Sequence, residues 1–164
     1  MLVSVISDTH DNMPYIKKAV KRLNAISPDL VIHCGDFSAP FAVTPYVSLR
    51  SPMTAVYGNN DAERDLIRQK LEQAGKKVQG SFARLTFDGR KMAVTHGDNL
   101  DLVDSVIESG GFDIVLYGHT HQMHIEEKGE VMIINPGEVC GYLSGKHTFV
   151  TYDTATYRAR IARL

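Results

Sequence analysis

Short β-rich apolar runs alternate with amphipathic stretches through the first third of the chain, and every run halts at a cluster of Gly, Asp, Asn or His. This alternation constrains the fold most, because β-α-β-α order places parallel strands side by side with helices packed on the sheet. Leu2-Val3-Ser4-Val5-Ile6 stops at Ser7-Asp8, Leu30-Val31-Ile32 at His33-Cys34-Gly35-Asp36, and Ala55-Val56-Tyr57 at Gly58-Asn59-Asn60-Asp61. Asn12 is placed to cap a first helix and Pro14 suits its first turn. Ile16, Ala19, Val20 and Leu23 then fall on one face. Residues 41–49 read as a short helix weakened by Pro45. Asp61 opens a helix over 61–74 with Leu66, Ile67 and Leu71 inward, and Gly75 ends it.

The rest is richer in strands. Segments 82–87 and 91–95 flank Asp88-Gly89, a two-residue hairpin signal, and 125–127 and 131–134 flank Lys128-Gly129. A helix is expected over 100–108, an apolar strand over 114–117, and a last strand pair over 149–152 and 157–161. No linker, repeat or biased tract divides the chain, so residues 1–164 are expected to form one domain with a mixed sheet and covering helices. The 18 Lys+Arg against 19 Asp+Glu exclude a broad basic face for nucleic acid. Two cysteines are too few for a disulfide framework and fit a reducing compartment. No segment approaches the ~20 apolar residues of a membrane span, and Asp8 follows Met1 too closely for a secretion signal. A cytoplasmic protein without membrane association is expected.

Each polar cluster lies just past the end of an expected strand, where α/β sheets bind ligands. Asp8-Thr9-His10, Gly35-Asp36, Gly58-Asn59-Asn60-Asp61, His96-Gly97-Asp98 and Gly118-His119-Thr120-His121 are the five blocks. Strand alternation would send Asp8 and His10 the same way, and likewise His119 and His121. The glycines before Asp36, Asn59 and His119 permit sharp turns. Two aspartates, one asparagine and four histidines are thereby collected. Mixed imidazole and carboxylate donors suit Mn²⁺, Fe²⁺, Ni²⁺ or Zn²⁺ better than Mg²⁺ or Ca²⁺. Seven ligands exceed one ion's needs; with one bridging carboxylate they divide between two ions ~3.5–4 Å apart. No cysteine pair has zinc-site spacing.

Taken alone, Asp8 or Asp36 reads best as a turn cap, Asn59 as a turn residue, Asp61 as an N-cap, and His96 or His119 as a loop histidine. That reading must hold for all of them independently. His33 is expected to be buried beside the site, whereas His124 and His147 read as surface or structural residues, and Cys34 and Cys140 as small core residues. Asp11, Asn12, Asp98 and Asn135 are candidates to hold the ligand histidines in place.

Asp-x-His, Gly-Asp, Gly-Asn-x-Asp, His-Gly and Gly-His-x-His, in this order, resemble the signature of the calcineurin-like metallophosphoesterases. The length, Ser7-Asp8-Thr9-His10 and Asn135-Pro136-Gly137 are similar to the small prokaryotic phosphodiesterase branch. The resemblance implies a four-layered α/β/β/α sandwich of two mixed sheets flanked by helices. It implies two divalent ions, Mn²⁺ foremost, with Asp8, His10 and His121 on the first, Asn59, His96 and His119 on the second, and Asp36 bridging. It further implies a metal-bridging hydroxide as nucleophile on a small phosphodiester, with Asn60 and Asp61 completing the catalytic set. Many family members have His where Asn60 stands, and Asn cannot deliver a proton at neutral pH. The same metals also suit a phosphomonoesterase or pyrophosphatase. A non-catalytic scaffold like the retromer subunit of this fold is a third reading, disfavoured because every ligand position holds a competent residue. An exposed sheet edge leaves room for a homodimer.

Overall fold

The computed structural model describes all residues from Met1 to Leu164. Its first sheet contains β1 (Leu2–Ile6), β2 (Leu30–His33), β3 (Met53–Ala55), β4 (Lys77–Val78), β10 (Thr148–Asp153) and β11 (Arg158–Arg163), in the order β11-β10-β1-β2-β3-β4. β1 to β4 run parallel, while β10 pairs antiparallel with β1. The second sheet is built from β5 (Phe82–Phe87), β6 (Arg90–Thr95), β7 (Ile114–Leu116), β8 (Met123–Lys128) and β9 (Val131–Pro136), in the order β5-β6-β7-β9-β8. Three helices complete the fold: α1 (Met13–Ile26), α2 (Arg64–Gln73) and α3 (Leu100–Glu108).

Strand alternation sorts the apolar side chains into three layers of core. Val3 and Val5 of β1 and Ile32 of β2 meet Val94, Ile114, Leu116 and Ile134 between the sheets. Their neighbours Ile6 and Val31 point the other way, onto Ile16, Ala19 and Leu23 of α1 and Ile67 and Leu71 of α2. Val103, Val106 and Ile107 of α3 cover Ala93, Val115 and Ile133 on the far side. Burying each such side chain contributes roughly 1.5–3 kcal/mol, so all three seams are needed for a stable sandwich. The expected four layers are therefore present.

Local departures have local causes. Asn12 sits before α1 yet makes no cap bond, because its amide donates to Cys140 O across the site, 2.7 Å away. The second helix starts at Arg64 rather than 61, since the Asp61 carboxylate is taken by another loop, and Leu66 is exposed. Residues 41–49 yield only a 3-10 turn over Thr44–Ser48. Asp88 and Gly89 both have positive φ, as a two-residue hairpin turn demands. The second hairpin turns at Gly129-Glu130, one residue later than expected. β4 has no counterpart in the sequence reading. No helix is long and apolar enough to cross a membrane.

Candidate metal centre

Parallel strands deliver all their C-terminal ends to one edge of each sheet, and there the loops after β1, β2, β3, β6, β7 and β9 converge. Five of the seven expected ligands stand in the left-handed backbone region: Asp8 (φ 50°), His10 (44°), Asp36 (63°), His119 (65°) and His121 (58°). A non-glycine residue held there costs on the order of 1–3 kcal/mol and persists only where surroundings enforce it. Backbone bonds between loops do so: Asp8 N donates to Gly35 O, His10 N to Asp36 O, Cys140 N to Asp8 O and Gly118 N to His96 O. Strand alternation aligns neither Asp8 with His10 nor His119 with His121, because β1 ends at Ile6 and β7 at Leu116 and all four residues lie in the turns beyond.

The glycines serve two different needs. Gly35 has φ 98° and requires the conformational freedom expected of it. Gly58 and Gly118 have ordinary backbones but no room for a side chain. A Cβ on Gly58 would collide with Asp36 Oδ1, and one on Gly118 with Ser7 Oγ and Asp8 Oδ2.

The seven side chains form two groups joined by one carboxylate. His121 Nε2 lies 3.4 Å from Asp8 Oδ1, and the His10 and His121 rings stack at 5.3 Å. Across the site, His119 Nδ1 is 3.0 Å from Asn59 Oδ1, and the His96 and His119 rings meet edge to face at 5.1 Å. Asp36 stands between, its Oδ2 being 3.7 Å from His10 Nε2 and 3.3 Å from His96 Nε2. Asn60 grips that carboxylate with its backbone N–H (2.9 Å) and its side-chain amide (2.7 Å). Asp61, buried, accepts four backbone N–H bonds from Asp36, Phe37, Ser38 and Gly58 at 2.7–3.0 Å. Its carboxylate is occupied in holding the turn that presents Asp36.

Hydrogen bonds at Nδ1 leave Nε2 of three histidines facing the centre. His96 Nδ1 donates to Cys34 O (2.8 Å), which fixes Nε2 as the lone-pair nitrogen. His10 Nδ1 pairs with Ser38 Oγ (2.8 Å) and His121 Nδ1 with Glu138 Oε2 (2.7 Å). The sequence reading misses Ser38 and Glu138 and favours Asp11, Asn12, Asp98 and Asn135 for this work. Those residues act elsewhere: Asp11 accepts from Tyr142 Oη, Asn12 binds Cys140 O, Asn135 holds Gly118 O and Thr120, and Asp98 is exposed. Proximity in space, not in sequence, selects Glu138. It is fully buried and gathers six donors from His121, Cys140, Tyr142, Leu143 and Ser144.

Burial pushes the Glu138 carboxyl up, yet the Cys140, His121 and Ser144 bonds outweigh it and hold the pKa at about 2. Burial raises Asp8 and Asp61. It acts on Asp36 too, but the neighbouring His96 imidazole and the Asn60 hydrogen bonds carry that carboxyl well below the usual range. Burial alone would lower His96; Asp36 and Asp8 instead lift it to about 9. The Asp36 and Asp8 carboxylates thus favour positive charge at the centre. His33 is driven the opposite way by burial, to about 3, with Gly35 N donating to its Nδ1 and Thr9 Oγ1 at its Nε2. His124 is exposed beside Glu126, and His147 stacks on Tyr15 at 3.3 Å away from the cluster.

A cation fits this arrangement on its chemistry. Asp8 Oδ1 and His96 Nε2 are buried with no hydrogen-bond partner, an arrangement that is costly unless a ligand satisfies it. Ligating atoms of Asp8, His10 and Asp36 lie within 4.8 Å of one another, and those of His10, His121 and Cys140 form a second such group. Comparison with known proteins points the same way. The profile of the calcineurin-like phosphoesterase superfamily domain matches residues 1–157. Phosphodiesterase MJ0936 of Methanocaldococcus jannaschii is 39% identical over 155 residues, spanning 94% of this chain and 93% of the relative. A solved archaeal phosphodiesterase superposes over 100% of both chains with a TM-score of 0.96 at 38% identity. A Vps29 variant from Entamoeba histolytica shares the fold, with a TM-score of 0.74 at 18% identity over 100% of this chain and 99% of that one.

Proposed function

Because the chain belongs to the calcineurin-like phosphoesterase superfamily, and so is a metal-dependent hydrolase of phosphoesters, we propose that it is a phosphodiesterase with a two-cation centre. The observation that carries this reading is the pair of buried ligand atoms without a hydrogen-bond partner, Asp8 Oδ1 and His96 Nε2, both close to Asp36. Asp8, His10 and His121 would hold one cation, Asn59, His96 and His119 the other, and Asp36 would be shared. Mixed imidazole, carboxylate and amide donors suit Mn²⁺, Ni²⁺, Fe²⁺ or Zn²⁺, and the family resemblance puts Mn²⁺ first. When bound, two such cations neutralise phosphoryl charge and acidify water for attack on phosphorus.

The chain's own residues prepare that chemistry. Cys34 O, Ser38 and Glu138 orient three imidazoles before any cation arrives. Asp61 fixes the turn that carries Asp36, and Asn60 fixes its carboxylate. Position 60 supplies no proton, which favours diesters with good leaving groups over monoesters, whose dianions gain from a nearby acid or cation. The buried thiols of Cys34 and Cys140 support a cytoplasmic setting.

Titration calorimetry with Mn²⁺, paired with turnover of matched aryl diester and aryl monoester substrates, tests the proposal. Two ions per chain and a diester preference are expected, with Asp36→Ala weakening both sites and abolishing turnover. Full metal binding by Asp36→Ala, or a monoester preference, would overturn it.

A further inference from the structure

Beside the metal-binding cluster, the loop following β9 presents two exposed apolar side chains. Tyr142 is 55% and Leu143 76% exposed. Exposed aromatics are ordinarily mobile. This one is fixed at both ends: its N–H donates to Glu138 Oε2 (2.8 Å) and its hydroxyl to Asp11 Oδ1 (2.8 Å). Leu143 N donates to the same buried carboxylate. The Tyr142 ring lies 6.0 Å from the His10 ring, tilted by 31°. Glu138 therefore performs two tasks with one side chain, holding His121 in the cluster and the Tyr142 turn against it.

A rigid, half-exposed ring next to a phosphoryl site is a surface on which a flat group can stack, and its ordering cost is met before binding. The ring's hydroxyl end rests on the Asp11 carboxylate, which repels a second phosphate. A pyrophosphate or oligophosphate tail is disfavoured there, whereas an uncharged aryl or nucleobase group is accepted. We propose that Tyr142, continued by Leu143, is the subsite for the organic substituent of the diester, selecting substrates with a flat uncharged group on the His10 side. This rests on the phosphodiesterase reading and adds the class of substrate to it.

The test compares two monoanionic phosphonates, methyl phenylphosphonate and methyl methylphosphonate, by calorimetry on the Mn²⁺-loaded protein. They differ in the ring alone, and their methoxide is too poor a leaving group for turnover during titration. The native protein should bind the phenyl compound about tenfold more tightly, the range expected of one aromatic pair. Tyr142→Ala should lose that preference and Tyr142→Phe, which lacks the Asp11 bond but keeps the ring, should retain it. For an aryl diester, Tyr142→Ala should raise KM about tenfold with kcat and Mn²⁺ stoichiometry little changed. Equal binding of the two phosphonates by the native protein, or an undiminished preference in Tyr142→Ala, would overturn the subsite. If the native protein hydrolysed no diester, the functional reading would fall, and the phosphonate comparison would still decide whether the ring is a subsite.

Discussion

Asp61→Asn is nearly isosteric and strikes the turn that carries Asp36. Two backbone N–H groups, of Phe37 and Ser38, bond to Oδ1, and two more, of Asp36 and Gly58, bond to Oδ2. An asparagine keeps one oxygen and turns an NH₂ toward the other pair, leaving two buried donors facing a donor. Each orphaned buried group costs about 1–3 kcal/mol, so the substitution should cost about 2–6 kcal/mol. A domain of this kind has about 5–15 kcal/mol in all, so much of its stability is at stake. Alanine is a less clean probe, because the space it opens admits water that can satisfy the same groups. Urea unfolding of the metal-free protein at neutral pH measures the loss, and Mn²⁺ titration should show weaker binding because Asp36 shares the turn. An Asp61→Asn protein within about 1 kcal/mol of native at unchanged denaturant slope would refute the assignment of Asp61 as the clamp.

Three further substitutions probe neighbouring features. His33, held neutral with a pKa near 3, protonates in the unfolded chain below its ordinary 6.5, so its contribution to stability is intact above pH 6.5 and falls toward pH 3. At about 1.4 kcal/mol per pH unit, the native advantage over His33→Gln should shrink by about 2 kcal/mol between pH 6.5 and pH 5, and a constant difference in urea unfolding would contradict this. Gly118→Ala drives a methyl group into Ser7 Oγ and Asp8 Oδ2; a loss of about 1–3 kcal/mol in thermal unfolding and weaker Mn²⁺ binding are expected, and unchanged metal affinity would show the loop to be pliant. Asn60→His should raise monoester over diester turnover, in kcat/KM for matched aryl substrates, provided the imidazole is released from Asp36; an unmoved ratio would remove position 60 as the determinant of preference.

The strands and their sheet-edge clusters are legible because strand periodicity and glycine placement are local properties. All seven candidate ligands stand in such clusters, and the structure brings them together. What escapes is decided by distant partners. Glu138 reaches His121 from 17 residues away and Ser38 reaches His10 from 28, and nothing in their own neighbourhoods marks them. Asn12 and Asp61 carry sound local signals for capping, but stronger demands from Cys140 O and from four orphaned N–H groups claim them. β4, two residues long and paired only with β3, exists by pairing rather than by propensity. Gly58 and Gly118 stand out at the right positions for the wrong reason: crowding, not conformational freedom, requires them.

The position of β1 also sets an order of assembly. It lies inside its sheet, hydrogen-bonded on one side to β2 and on the other to β10, which begins at Thr148. Ser7 O and Asp8 O likewise await the N–H groups of Val139 and Cys140. A nascent chain that has emerged through His121 carries every candidate ligand, yet β1 still lacks its β10 neighbour and Asp8 O its bond from Cys140 N. Closing so long a stretch of chain is slow. Metal capture is accordingly a late event in synthesis, and a product truncated before β10 would display the full sequence motif without the centre that the motif describes.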